Sequence, residues 1–204
     1  MFWYFVRHGE TEWNLKGLFQ GATDIPLDDT GRAQAREAGD RVKSQNTFFE
    51  KIISSPLGRA IETAELISGI SRDDERFIID DRIREMSFGE LEGTDYYSIK
   101  NNHGLLFRDP GNYVPECGEE TYDSIMSRTV SFLDDMKKKY GDGEGNILIQ
   151  THGACMRAML LTLRGLDISE YWKLAVGNCE FFVFEVNGGI PVELDAGDIN
   201  PQKV

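Results

Sequence analysis

The 204-residue chain has few of the residues that build disulfide or metal frameworks. It has only three cysteines, Cys117, Cys155 and Cys179, an odd number without C-x-x-C spacing. This pattern argues against a disulfide scaffold and against a cysteine-based metal site. Small free thiols in a reducing compartment are the simpler interpretation. The chain also lacks internal repeats, low-complexity tracts and linker-like stretches.

Positive charge is scarce as well. There are 22 lysines and arginines against 35 aspartates and glutamates, for a formal net charge of -13. Long-range repulsion therefore disfavours nucleic acid or an anionic membrane surface as a partner. An anionic small-molecule substrate would need a local concentration of arginine, lysine and histidine working against that field.

Long hydrophobic runs are also missing. A membrane-spanning helix needs about 18 consecutive apolar residues, and no apolar stretch of the sequence is nearly that long. The apolar stretch at residues 2–6 is too short for the core of a signal peptide, and it has no basic flank or small-residue cleavage site. We therefore expect a soluble, cytoplasmic protein.

Strand-like and helix-like patterns alternate along the chain, whose length suits one globular domain spanning residues 1–204. Short apolar runs predict strands at 2–6, 51–55, 77–79, 146–151 and 180–186. Helical spacing and capping residues predict helices at 28–44, 57–67, 120–140 and 154–163. This alternation indicates an α/β protein, a three-layer α/β/α sandwich with a mostly parallel central sheet.

Two His-Gly pairs each stand at the end of a predicted strand. His8-Gly9 follows the first strand, and His152-Gly153 follows the strand that ends at Thr151. In open α/β sheets the ligand crevice lies at this carboxyl edge. Arg7 precedes the first pair directly. Two imidazoles with an arginine beside one of them suggest phosphate chemistry without a metal.

Further motifs occur in a fixed order around the two pairs. They read Arg7-His8-Gly9-Glu10-Thr11-x-x-Asn14, Gln20-Gly21, Leu27-x-x-x-Gly31, Ser54-Ser55-Pro56-x-x-Arg59, Arg84-Glu85-x-x-Phe88-Gly89, Gly118-Glu119-Glu120 and Thr151-His152-Gly153. Together they resemble the motifs of the histidine phosphatase superfamily, the phosphoglycerate mutase-like proteins, over nearly the whole chain. The resemblance implies a phosphoglycerate mutase-like fold. Residues 94–119, which have weak periodicity, are expected to form an insertion that covers the active site.

The resemblance also implies roles for eight residues. His8 is expected to be the nucleophile, and Glu85 the acid that protonates the leaving oxygen and then the base that activates water. His152 is expected to act as a cationic clamp on the phosphoryl oxygens. The remaining residues are expected to bind the substrate phosphate: Arg7, Asn14, Gln20, Gly21 and Arg59. Neither a metal nor another cofactor is expected.

Three departures from the mutase pattern favour a phosphatase. The motif that contains the proposed acid reads Glu85-Met86-Ser87-Phe88-Gly89, whereas the corresponding motif of the mutases is similar to Glu-Arg-His-Tyr-Gly. The chain also has no Arg-Arg pair, which the mutases use to bind the substrate carboxylate. Ala154 follows the second His-Gly pair, where mutases usually have asparagine. We predict metal-independent hydrolysis of a small phosphomonoester through a phosphohistidine intermediate on His8. A cofactor-dependent phosphoglycerate mutase is the alternative, and a non-enzymatic binding module is a third hypothesis.

The sequence leaves the physiological substrate and the oligomeric state open. Aromatic residues in 94–119 either favour larger leaving groups or form a small core of their own: Tyr96, Tyr97, Phe107 and Tyr113. His103, the third histidine, is expected at the surface. The apolar segment 181–184 could lie at a sheet edge and pair with a second copy, so a homodimer stays open.

Overall fold

A six-stranded sheet organises the computed structural model, which describes residues 1–98 and 104–194. Its strands, in chain order, are β1 Phe2–Arg7, β2 Lys51–Ser54, β3 Phe77–Ile79, β4 Asn146–Thr151, β5 Phe181–Asn187 and β6 Ile190–Glu193. Their spatial order across the sheet is β3-β2-β4-β1-β5-β6. Strands β1 to β4 pair in parallel, whereas β5 and β6 add in antiparallel orientation. The predicted, mostly parallel α/β sheet is confirmed.

Six α-helices surround this sheet in the described part of the chain. They are α1 Glu12–Leu15, α2 Asp29–Ser44, α3 Gly58–Ser68, α4 Gly104–Arg108, α5 Tyr122–Tyr140 and α6 Gly153–Arg164. Short 3-10 helices occupy Asp81–Ile83, Gly89–Leu91, Pro110–Asn112 and Ile168–Lys173. No helix among the described residues is long and apolar enough to cross a membrane.

The alternation of side chains along β1 builds the layers. Trp3 and Phe5 belong to one hydrophobic core, with residues of α5 and α6, whereas Tyr4 and Val6 belong to the other, with residues of α2 and α3. Successive side chains of a strand point to opposite faces, so β1 is buried on both sides. The apolar run at the start of the chain therefore becomes the centre of a three-layer sandwich.

The chain after residue 180 differs from the prediction. The expectation that 181–184 lies at a sheet edge is wrong, because β5 is hydrogen-bonded to β1 on one side and to β6 on the other. The turn after Asn187 returns the chain as β6, which takes the edge position. His103 and its neighbours, residues 99–103, lie outside the described residues.

Aromatic residues of the segment 94–119 mostly pack inward. Tyr96 and Phe107 contact each other and Phe19, with ring centroids 5.1 to 6.0 Å apart. Phe107 also contacts Trp172 at 5.0 Å, whereas Tyr97 is exposed. Of the two interpretations of these aromatic residues, packing into a core is the one that these contacts favour.

Candidate active site

The two His-Gly pairs meet at the carboxyl edge of the sheet. Strands β1 and β4 are parallel neighbours with Arg7 opposite Thr151, and the backbone N–H of His8 donates to the Thr151 carbonyl at 3.0 Å. The imidazole rings of His8 and His152 lie with their centroids 5.1 Å apart. Both side chains are buried, as expected for a crevice at this edge.

The His8 ring is oriented by its own neighbour. Its Nδ1 lies 2.7 Å from the carbonyl oxygen of Gly9. Since a carbonyl can only accept, Nδ1 carries the proton and donates, which leaves the lone pair on Nε2. Burial lowers the pKa of His8 well below its ordinary value, and the charges of Arg59 and Arg7 lower it further. His8 is therefore neutral at pH 7.

Two side chains from distant parts of the sequence fix the backbone around His8. Asn178 donates from its side-chain amide to the His8 carbonyl at 2.8 Å, and the Gly9 N–H donates to Thr63 Oγ1 at 3.1 Å. Gly9 also passes so close to Gly31 that a Cβ on Gly9 would lie 2.5 Å from the Gly31 carbonyl oxygen. This close approach of two backbones explains glycine after the histidine.

His152 differs in charge from its expected role. Its Nε2 shares a hydrogen bond of 2.7 Å with Ser55 Oγ, and its Nδ1 is buried without a described partner. Burial lowers the pKa of His152 well below its ordinary value, and the nearby charges of Arg59 and Arg7 act in the same direction. The expected cationic clamp is thus neutral in the protein by itself, because the ring is buried and arginines lie near it.

Arg7 points into the same crevice from the end of β1. Its Nη1 donates to the Val176 carbonyl at 2.8 Å. Burial lowers the pKa of Arg7 to about 10, with the charge of Arg157 as the next contribution in the same direction. Arg7 remains charged at pH 7, since its pKa still lies well above that pH.

Arg59 is fully buried in the first turn of α3. Its Nη1 and Nη2 donate to the carbonyls of Thr23 and Gly21, each at 2.7 Å. Asp24 Oδ1 lies 3.6 Å from Nη1 and compensates part of the charge. Gly21 thus enters the site through its backbone, as the partner that orients the Arg59 guanidinium.

Thr11 links the side chain of Gln20 to the backbone of Asn14. Its hydroxyl donates to Gln20 Oε1 at 2.9 Å and accepts from the backbone N–H of Asn14 at 3.2 Å. The Gln20 amide nitrogen is consequently turned away from Thr11 and has no described partner. Thr11 belongs to the first motif of the sequence, but its orienting role could not be predicted from that motif.

Five of the predicted site residues share one property. Each has a buried polar atom without a hydrogen-bond partner among the described residues: Arg7 Nε, Asn14 Oδ1, Gln20 Nε2, Arg59 Nε and His152 Nδ1. Buried polar groups in folded proteins are almost always hydrogen-bonded. Four of these five atoms are nitrogens, the atom type that donates hydrogen bonds to an anion.

Glu85 lies on the far side of this crevice, at the beginning of α6. Its carboxylate accepts from the backbone N–H groups of Ala154 at 3.1 Å and Cys155 at 3.0 Å, and from that of Met86 at 2.9 Å. His152 occupies the N-cap position of α6 but makes no side-chain cap. Glu85 takes over that task, so the helix N-terminus holds the carboxylate in place.

Arg128 of α5 fixes the segment that carries Glu85. Its Nη1 donates to the carbonyls of Arg82 at 2.6 Å and Arg84 at 2.8 Å, and its Nη2 donates to the carbonyl of Glu85 at 3.3 Å. It also forms a two-pronged ion pair with Glu120, at 2.8 and 2.9 Å. The sequence carries no local signal for this role, since Arg128 reads as one charge on an amphipathic helix.

Glu92 holds the loop that presents Gly21. It accepts from the backbone N–H groups of Ala22 and Thr23, both at 2.9 Å, and from that of Phe88. Gly21 has a positive φ of 56°, and a Cβ there would lie 2.1 Å from Glu92 Oε1. The Glu92 carboxylate is therefore a structural tie between this loop and the segment that carries Phe88.

No group of three or more histidine, cysteine, aspartate or glutamate side chains in the described ranges has the arrangement of a metal site. The polar groups of the crevice are instead arginine, amide and imidazole nitrogens. This donor set suits a phosphoryl group.

Comparisons with known proteins agree with the geometry. The chain is 35% identical over 168 residues to an uncharacterized phosphatase of Bacillus subtilis, covering 79% of this chain and 77% of that protein. It is 29% identical over 187 residues to a 2,3-bisphosphoglycerate-dependent phosphoglycerate mutase of Mesorhizobium japonicum, covering 89% and 90%.

A solved structure is also similar over nearly the full length. It is a histidine-to-alanine mutant of phosphoserine phosphatase from Entamoeba histolytica in complex with phosphoserine, with a TM-score of 0.80, 29% identity and 95% of each chain covered. The model of the histidine phosphatase superfamily (branch 1) matches residues 3–198 of the present sequence. The resemblance seen in the ordered motifs is therefore confirmed, and the chain belongs to the histidine phosphatase superfamily.

Proposed function

We propose that the protein hydrolyses a small phosphomonoester through a phosphohistidine intermediate on His8, without a metal ion. The observation that carries this proposal is the orientation of His8, whose Nδ1 is tied to the Gly9 carbonyl and whose Nε2 is free to attack. Its lowered pKa keeps that nitrogen unprotonated at pH 7. A neutral, oriented imidazole is what nucleophilic attack on phosphorus requires.

In the first step, Nε2 of His8 forms a bond to phosphorus while the bond from phosphorus to the ester oxygen breaks. The leaving oxygen takes the electron pair of that bond, and the protonated carboxyl of Glu85 donates a proton to it. Arg7 and Arg59 neutralise charge on the phosphoryl oxygens, with Asn14 and Gln20 as further contacts. These two arginines supply the positive charge that other phosphatases take from metal ions.

In the second step, a water molecule attacks the phosphorus of the phosphohistidine. The Glu85 carboxylate takes a proton from that water, the bond from phosphorus to Nε2 breaks, and inorganic phosphate leaves. His8 returns to its neutral form and Glu85 to its protonated form, so the cycle balances.

His152 acts in this scheme after substrate binds. A phosphate dianion next to the ring would offset the positive charges of the arginines and favour the protonated imidazole. The unpartnered Nδ1 would then donate to a phosphoryl oxygen. We further propose that residues 94–119 form an insertion of the single domain, and that this insertion borders the leaving-group side of the site.

The test is turnover of p-nitrophenyl phosphate in the presence of EDTA, together with detection of acid-labile phosphate on the protein. We expect His8→Ala to reduce the rate by about a thousandfold or more and to abolish the labelling. His103→Ala, which removes the histidine outside the motifs, is the matched control and should retain both.

Retained turnover in His8→Ala, or phosphate carried on another residue, would overturn the mechanism. A strict requirement for a divalent metal would do the same. Interconversion of 2- and 3-phosphoglycerate, faster than hydrolysis of either one, would replace the hydrolase with the mutase alternative.

A further inference from the structure

We propose that Arg157 and Tyr96 form a second anion subsite beside the phosphate pocket, and that this subsite binds a carboxylate on the leaving group of the substrate. The inference rests on the proposed phosphomonoester hydrolysis and names a chemical class for its substrate. No motif of the sequence points to either residue.

The helix geometry of α6 directs Arg157 towards the phosphate pocket. Helical side chains lean towards the N-terminus, and Arg157 lies one turn after Gly153, the first residue of α6. Its Nη1 donates to the Gly153 carbonyl at 2.9 Å, and its Nε donates to the Leu174 carbonyl at 3.0 Å. The guanidinium also lies over the ring of Trp172, 5.3 Å from its centroid. Three contacts therefore hold the group in one orientation.

Arg157 and Arg7 flank the same glycine. A Cβ on Gly153 would lie 3.3 Å from Arg157 Nη1 and 3.5 Å from Arg7 Nε. No described carboxylate comes within ion-pair distance of either guanidinium. Two partly buried like charges side by side are unfavourable unless an anion joins them. A phosphoryl group bound by Arg7 and Arg59 leaves the charge of Arg157 available for a second anionic group.

Tyr96 faces this charge from the segment 94–119. Its ring contacts Phe107 at 5.1 Å, and Phe107 contacts Trp172, the ring over which the Arg157 guanidinium lies, at 5.0 Å. Burial raises the pKa of the Tyr96 phenol, and the charge of Arg157 partly offsets that rise. The Tyr96 hydroxyl has no hydrogen-bond partner among the described residues, and neither has Arg157 Nη2. One phenol O–H and the N–H groups of one nitrogen match the two oxygens of a carboxylate better than the three of a second phosphate.

The favoured substrates are thus phosphomonoesters of small hydroxy acids, including hydroxyl-bearing amino acids, with the carboxylate a few bonds from the ester oxygen. The phosphate of such a molecule would bind Arg7 and Arg59, and its carboxylate would bind Arg157. Phosphomonoesters with the same skeleton but without the carboxylate would bind the phosphate pocket alone.

The test compares O-phosphoserine with O-phosphoethanolamine, which differ by the carboxylate. We expect kcat/KM to favour phosphoserine by about tenfold to a hundredfold, the value of charge-assisted hydrogen bonds. Arg157→Met should bring this ratio close to one, and Tyr96→Phe should lower it. Arg164→Met is the matched control, since Arg164 lies on the same helix but pairs with Glu193 at the surface. It should keep the wild-type ratio.

Binding to His8→Ala separates this inference from the proposed function, because it needs no turnover. Calorimetry should give the same preference for phosphoserine in His8→Ala, and the preference should disappear in the His8→Ala/Arg157→Met double variant. Equal affinities in His8→Ala, or a preference that survives loss of Arg157, would overturn the subsite whether or not the wild type is a hydrolase. If Arg157→Met does not fold, Tyr96→Phe gives the deciding comparison, and an unchanged ratio there rejects the proposal.

Discussion

Replacing Arg128 with methionine should reveal how strongly the catalytic segment depends on one buried ion pair. Arg128 and Glu120 are nearly inaccessible, with 13% and 7% of their side chains exposed. The substitution would leave the Glu120 carboxylate buried without its partner. In the wild type, burial raises the pKa of Glu120, but the bonds from Arg128 hold that pKa below its ordinary value. Breaking one side of a buried pair typically costs about 3–5 kcal/mol.

The same substitution should act on catalysis. Arg128 is a positioning residue, because it holds the backbone carbonyls before and at the proposed acid Glu85. A shift of the acid by about 1 Å can cost about a hundredfold in rate. We therefore expect kcat to fall by that order, whereas the Kd of inorganic phosphate changes little, since Arg7 and Arg59 are held by other elements.

Urea unfolding and steady-state kinetics of three variants would measure both effects. Arg128→Met should be less stable than the double variant Arg128→Met/Glu120→Leu, since the double variant buries no lone charge. Arg76→Met removes an arginine that pairs with Asp74 at the surface, and its unfolding midpoint should stay nearly unchanged. The reasoning would be refuted by additive effects in the double variant, or by a loss of phosphate affinity as large as the loss of kcat.

The Cε1 proton signals of His8 and His152 should show no titration between about pH 5.5 and pH 8, because burial keeps both pKa values well below the ordinary 6.5. In the unfolded chain both rings gain a proton below about pH 6.5, so the free energy of unfolding should fall on acidification by up to about 1.4 kcal/mol per pH unit for each. His8→Ala should remove one of these two contributions, and an unchanged pH slope would contradict it. Gly9→Ala should cost about 1–3 kcal/mol, because its Cβ would meet the Gly31 carbonyl oxygen at 2.5 Å. An unfolding midpoint equal to wild type would show that the two backbones can separate freely.

Much of the fold follows from patterns that act over short distances. Burial on both faces gives β1 and β4 their continuous apolar character, so the sequence identifies them almost to the residue. Local backbone chemistry also sets helix ends. The Asp28 side chain caps the start of α2, and Gly69 ends α3 in the left-handed conformation. The sequence does not predict strand β6, because its exposed residues Ile190 and Val192 give it no buried face to recognise.

The site divides in the same way. The eight predicted residues could be named from ordered motifs, and the structure brings the rings of His8 and His152 to a centroid distance of 5.1 Å. Their supports could not be named, because Asn178 and Arg128 reach the site from remote segments and act on backbone carbonyls. The sequence does not predict the neutral state of His152 either, since that state depends first on the burial of the ring and then on the arginines near it.

The position of β1 has a consequence for how the chain comes to be folded. This strand is made before the other strands of the sheet, yet its two neighbours, β4 and β5, follow more than a hundred residues later. Until β4 has been made, the aromatic side chains of β1 have no partner strand, a state that favours association with other chains. The contacts that complete the sheet join residues far apart in sequence, which slows folding. The proposed active site, which joins the ends of β1 and β4, therefore cannot form until β4 pairs with β1.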